Sequence, residues 1–297
     1  MKLAVIMLGA LACVGAPPPS RAAVEPATQP LPLVILVHGR GQLGLDTAAM
    51  RSEWKRDLDA SLASVGLPAL RDDDVRLVWY ADALDPNAEN ECARPVSGGG
   101  GGVEELGLGD ITRVLFASLV SAFPANEGRG ARSVFGELLY FLDGDTRCAA
   151  GKRFGARYRQ AIAQKRPVVI VAYSLGSIVT YDYLKTHGAS GADVRLITAG
   201  SLLGAREFRE LLFGVGAPPP ALPSGVSTWV NLYDPDDPFA SPVGVPSAID
   251  WRTESPYGGS AHYHGRYLRD PAMGRALGRA LCASSARALG EGCRALR

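Results

Sequence analysis

Apolar residues along this chain gather into short unbroken runs, and those runs predict most of the fold. Leu33-Val34-Ile35-Leu36-Val37 lies between Pro32 and His38-Gly39 and is apolar throughout, the pattern of a strand buried on both faces. Runs of the same kind predict strands at residues 75–80 (VRLVWY), 168–173 (VVIVAY), 194–198 (VRLIT) and 228–233 (TWVNLY). Between them the period changes. Trp54, Leu58 and Leu62 fall on one side of a helix over residues 48–63, and helices are predicted over 152–164 and 177–186. Strands alternating with helices imply an α/β fold with a mainly parallel sheet covered on both faces.

One stretch breaks that rhythm. Residues 82–151 are too long for a simple crossover and hold the loop Ser97 to Gly102 (SGGGGG), followed by helical patterns at 104–123 and 131–142. An insertion of this size is either a lid or cap over a site at the sheet edge, or extra crossover helices packed on the sheet.

Composition supports one sizeable core: 47% of the 297 residues are hydrophobic and 21% charged. The formal net charge is +1 and no basic run stands out, which argues against a nucleic-acid partner. The N-terminus reads as an export signal over residues 1–22. Lys2 precedes an apolar run over residues 3–16, shorter than the roughly 20 residues of a membrane helix, and Ser20-Arg21-Ala22 resembles a cleavage site. The mature domain is then 23–297, in the periplasm or secreted, with no stable membrane span after cleavage. Lipid anchoring through Cys13 is the alternative, disfavoured by Ala10 and the short run before that cysteine. Cleavage leaves Cys92, Cys148, Cys282 and Cys293, an even set for which disulfides are expected in three possible connectivities. Locality favours Cys92 with Cys148 and Cys282 with Cys293. Oligomeric state leaves no mark on the sequence.

The candidate chemistry centres on Ala172-Tyr173-Ser174-Leu175-Gly176. A buried strand runs into a tight turn and then a helix, and small residues two before and two after Ser174 let the helix approach the strand. This is the setting of a nucleophile elbow, in which the helix N-terminus faces developing negative charge. The bland reading is a serine that caps the helix. Upstream, His38-Gly39-Arg40-Gly41 follows the first strand and suits a turn presenting backbone amides. Downstream, Asp234, Asp236 and Asp237 follow the fifth strand, and only His262 and His264 come later.

In these residues the chain resembles the α/β-hydrolase superfamily, especially its lipase and esterase branches. It departs from their usual elbow by Ala172 and Tyr173. The resemblance implies a Ser, acid, His order and an oxyanion hole formed by the amides of Arg40 and Leu175. Asp237, which precedes Pro238, resembles the catalytic aspartate of such proteins, with Asp234 in reserve. His264-Gly265-Arg266-Tyr267 resembles their closing His-x-x-Tyr segment, so His264 is the expected base, with His262 beside it. The turn Gly200-Ser201-Leu202 resembles one in lipid-deacylating relatives. The implied activity is hydrolysis of a small-molecule or lipid-like carboxylic ester, without cofactor or metal. Competing readings are a catalytically silent binding module on the same fold, the same triad acting on thioesters or amides or as an acyltransferase, and a metal site built from His262, His264 and an aspartate.

Overall fold

The computed structural model describes residues 31–85, 89, 91–92, 140–253, 262–289 and 291–296. The expected signal segment, most of the 82–151 insertion and the helix expected at 104–123 lie outside them. Of the helix expected at 131–142, only residues 140–142 are described, and Tyr140 and Phe141 are buried there.

The strands are β1 (Leu33–Val37), β2 (Val75–Val78), β3 (Val168–Tyr173), β4 (Val194–Ala199), β5 (Val226–Tyr233) and β6 (Ile249–Arg252). They form a six-stranded sheet in the order β2-β1-β3-β4-β5-β6, parallel at every pairing. The described helices are α1 (Thr47–Ala63), α2 (Gly144–Ile162), α3 (Leu175–His187), α4 (Arg206–Phe213), α5 (His264–Leu268), α6 (Pro271–Leu289) and α7 (Glu291–Ala295).

Strand alternation divides the core in two. Leu33, Ile35 and Val37 of β1, with Val168, Ile170 and Ala172 of β3, pack against Phe154 and Tyr158 of α2 and Ile178 and Leu184 of α3. Val34 and Leu36, with Val169, Val171 and Tyr173, pack on the other face against α1 and α6. The apolar runs are therefore explained by cover on both sides.

Two strands depart from the sequence pattern for identifiable reasons. The second strand ends at Val78, because the Tyr80 amide turns from the ladder and donates to His38 Nε2 at 3.3 Å. Strand β6 has no counterpart among the strands that the sequence pattern predicts. It is an exposed or half-buried edge whose Asp250 and Arg252 leave no apolar run. The Asp250 carboxylate accepts from the amides of Val243 and Gly244 and from Asn231 Nδ2, each at 2.8 Å, and so fastens the loop between β5 and β6.

From β1 the chain crosses to β2 on one side, and then passes back over β1 to β3. That reversal opens a crevice at the carboxyl ends of β1 and β3, where open parallel sheets bind ligands. Gly176 makes the junction tight. A Cβ at that position would lie 2.3 Å from the His38 carbonyl oxygen and 2.6 Å from that of Val37. Cys92 pairs with Cys148 (Cα–Cα 6.0 Å) and Cys282 with Cys293 (5.5 Å), the connectivity that locality favours.

Two stability outcomes are expected from these contacts. Gly176→Ala drives a methyl group against the His38 and Val37 carbonyls and should cost about 1–3 kcal/mol in urea unfolding. Serine replacement of Cys148 should cost about 4 kcal/mol and that of Cys293 about 3 kcal/mol, from the lengths of the loops they close. Matched denaturation curves with and without reductant check the second pair.

Candidate active site

Ser174 sits between β3 and α3 with φ 53° and ψ −126°, a conformation that non-glycine residues rarely adopt. Such backbone costs on the order of 1–3 kcal/mol and persists only where the surroundings enforce it. Here the Ser174 amide donates to the Ala199 carbonyl of β4 at 2.9 Å, and Ser177 Oγ lies 2.5 Å from the Ser174 carbonyl oxygen. Ser177 also lies 2.7 Å from Ser201 Oγ. If its one proton goes to the Ser174 carbonyl, it accepts from Ser201, so both hydroxyls are used in holding the turn. The Ser174 side chain makes no capping bond to α3, which removes the helix-cap reading.

The Ser174 hydroxyl instead meets His262. Oγ lies 2.7 Å from His262 Nε2, and His262 Nδ1 lies 2.7 Å from Asp237 Oδ2. With the carboxylate accepting at Nδ1–H, Nε2 is left as the acceptor for the serine proton. Asp237 is buried and fully engaged. Its Oδ2 also accepts from the Tyr267 hydroxyl at 2.6 Å, and its Oδ1 from the Phe239 amide at 2.8 Å. Of the three aspartates after β5, Asp237 therefore faces the imidazole. Asp234 is held by Arg266 at 2.9 Å and accepts the Asp236 amide, while Asp236 is exposed.

His264, the base expected from the sequence, is elsewhere. Its Nε2 lies 3.3 Å from Glu53 Oε1 of α1, its ring stacks on Trp54 with centroids 5.3 Å apart, and burial pulls its pKa below the usual value against the opposing pull of Glu53. The reason is local. Helix α5 starts at His264, so the two histidines do not share one extended stretch and point to different neighbours. Tyr267 does reach the site, but through Asp237. No spacing in the sequence separates the two histidines; the deciding contact, Glu53, comes from a helix more than 200 positions away.

Metal ligation by both histidines with one aspartate is not assembled either, since His262 faces Ser174 and Asp237. Among the described residues, donor atoms of Glu53, Asp57 and His264 do lie within 4.8 Å of one another. The positive charge there comes from Arg269, whose Nε donates to Asp57 Oδ1 at 2.7 Å.

The turn after β1 packs directly on the serine: a Cβ on Gly39 would lie 3.0 Å from Ser174 Cβ. Arg40 lies in this turn, its carbonyl accepting from Gln42 Nε2 at 2.6 Å, and Gly41 takes φ 73°. Leu175 opens α3, where the first amides have no partner within the helix. His38 braces the turn from beneath. Nδ1–H donates to the Gly39 carbonyl at 2.7 Å, Nε2 accepts from Tyr80, and the ring stacks on that of Tyr80 at 4.1 Å.

Burial lowers the His38 pKa from 6.5 to about 4, outweighing the raising effects of the Gly39 hydrogen bond and Asp82. The unfolded chain therefore binds the additional proton. His38's contribution to stability is complete above about pH 6.5 and is lost as pH falls toward 4. From pH 7 to pH 5 it should remove about 2 kcal/mol, and urea unfolding of His38→Asn should show that much less pH dependence than wild type. Comparison with protein-family models, with curated proteins and with solved structures finds no match to this chain.

Proposed function

We propose that this chain is a serine hydrolase of the α/β-hydrolase type that cleaves carboxylic esters, with Ser174 as nucleophile, His262 as general base and Asp237 as its carboxylate partner. The observation that carries this reading is the hydrogen-bonded chain Ser174–His262–Asp237, with both links at 2.7 Å, on a strained turn at the reversal point of a parallel sheet. A serine held with positive φ, not capping its helix and bonded to a carboxylate-oriented imidazole, combines costs that packing alone does not demand.

In the reaction, His262 Nε2 takes the Ser174 proton as Oγ attacks the ester carbonyl carbon. The resulting oxyanion is stabilised by the amides of Leu175 and Arg40, and Asp237 stabilises the imidazolium. The imidazolium then gives its proton to the leaving alcohol, yielding an acyl-serine. Water, deprotonated by the same nitrogen, attacks the acyl carbon and releases the acid and free Ser174. The resemblance of the Gly200-Ser201-Leu202 turn to one in lipid-deacylating hydrolases favours an apolar, lipid-like acyl group. The two disulfides support export.

A fluorophosphonate probe and a nitrophenyl ester series test the reading. Wild type should be labelled and Ser174→Ala should not; equal labelling of the two would refute it. Replacing Asp237 by asparagine should lower kcat by about 10⁴-fold, and replacing His262 by alanine by about 10⁶-fold. His264→Ala should change kcat by less than about tenfold, because it loses contacts to Glu53 and Trp54 and not one to Ser174 or Asp237. A collapse with His264→Ala and none with His262→Ala would reverse the assignment of the base.

A further inference from the structure

Tyr173, the residue before the serine, has no part in the chemistry described above, yet it touches the base. As the last residue of β3 it points to the face opposite Ala172, where it is 6% exposed. Its ring is slotted between two glycine turns. A Cβ on Gly39 would lie 2.9 Å from its Cδ1, and one on Gly200 would lie 3.0 Å from its Cε2. Trp54 meets it edge-on at 5.9 Å, and Tyr267 is tilted against it at the same centroid distance. From this fixed seat the phenol hydroxyl donates to the backbone carbonyl of His262, and the two rings lie 5.3 Å apart and 30° from parallel.

His262 needs such a hold. It lies in a turn ahead of the five-residue helix α5, outside any strand or helix of its own. Asp237 fixes Nδ1, which sets the tautomer and the rotation of the ring, and Phe239 packs on the ring at 5.0 Å, so both act at the side chain. A further contact at the carbonyl fixes the other end. A misplacement of 1 Å between reacting groups can cost about 10²-fold in rate.

We propose that Tyr173 is a positioning residue for His262: its hydroxyl, anchored beside the nucleophile, tethers the base's backbone so that Nε2 stays within hydrogen-bonding reach of Ser174. This rests on the hydrolase reading above. The tether couples nucleophile and base directly, since residues 173 and 174 are adjacent in one strand and turn. Burial and the nearby Asp237 carboxylate raise the phenol's pKa well above its ordinary value, so it stays a donor across the working pH range.

The test is Tyr173→Phe, which keeps the ring and removes only the hydroxyl. Ester hydrolysis should show kcat reduced about 10- to 100-fold with KM within about twofold, and probe labelling of Ser174 should slow in parallel. The downfield Nδ1 proton resonance of His262, held by Asp237 in the wild type, should broaden in the variant. A merely structural loss would lower the melting temperature without that split or that broadening. Tyr173→p-aminophenylalanine restores a donor at the same place and should recover most of the rate. The nearby phenol Tyr263, which contacts Glu53, gives the control: Tyr263→Phe should leave kcat within about twofold.

Wild-type kcat, labelling and resonance in Tyr173→Phe would overturn the tether while leaving the hydrolase reading intact. If wild type itself neither labels nor hydrolyses any ester, the hydrolase reading fails and the resonance decides alone. Broadening in the variant then supports the tether, and a sharp signal in both proteins refutes it. If Tyr173→Phe does not fold, the p-aminophenylalanine variant decides: near-wild-type kcat with a sharp resonance supports the tether, and a broadened one refutes it.

Discussion

Everything near the serine depends on how closely α3 can approach the end of β1. The carbonyls of Val37 and His38 occupy the space where a side chain on Gly176 would be, so at Gly176 the start of α3 meets the end of β1 backbone to backbone. That contact brings the first amides of a helix and the turn at residues 39–41 to the same side of Ser174. It also explains the buried brace beneath. His38 fills its two ring nitrogens with the Gly39 carbonyl and the Tyr80 amide, ending β2 and fixing the turn in one step. An unpaired polar group at such depth would cost about 1–3 kcal/mol, so the brace holds one geometry.

The two histidines near the end of the chain divide along the same logic. His262 meets the carboxyl ends of β3 and β5 through Ser174 and Asp237, while His264 is drawn to α1 by Glu53 and Trp54. One segment thus joins the site to the helical layer on the α1 and α6 face. Arg269 continues the junction, bonding Asp57 of α1, and Arg266 bonds Asp234 in the turn that carries Asp237. The turn that carries Asp237 and helix α5 are therefore pinned together by Arg266, which bonds Asp234, and by Tyr267, whose hydroxyl donates to Asp237 and accepts from the Asp234 amide.

What is legible in the sequence follows from burial. Five strands announce themselves as apolar runs because both faces of the sheet are covered, and the elbow announces itself because a strained turn flanked by tight packing needs Ala172 and Gly176. Asp237 is separable from Asp234 in the sequence only by its resemblance to known segments. Edge strand β6 carries no signal, since an exposed strand with Asp and Arg has no apolar period. The choice between His262 and His264 is illegible for a different reason. Both precede Tyr267 within a few positions, and the partner that removes His264 from the site lies on α1, far away in the chain. Local pattern reports which residues are buried; it does not report which distant carboxylate reaches a given imidazole first.

Asp237 shows why the carboxylate needs more than one partner. A buried carboxylate with only an imidazole beside it would be costly to ionise, and a neutral acid could not stabilise an imidazolium. The Phe239 amide and the Tyr267 hydroxyl supply two further hydrogen bonds to its oxygens without adding a cation that would compete with His262. Arg266, the nearby cation, is spent on Asp234 instead. An arginine on Asp237 itself would satisfy the carboxylate equally well and weaken its hold on the imidazolium. Neutral donors at Asp237, with Arg266 on Asp234, suit the role proposed for Asp237 beside His262.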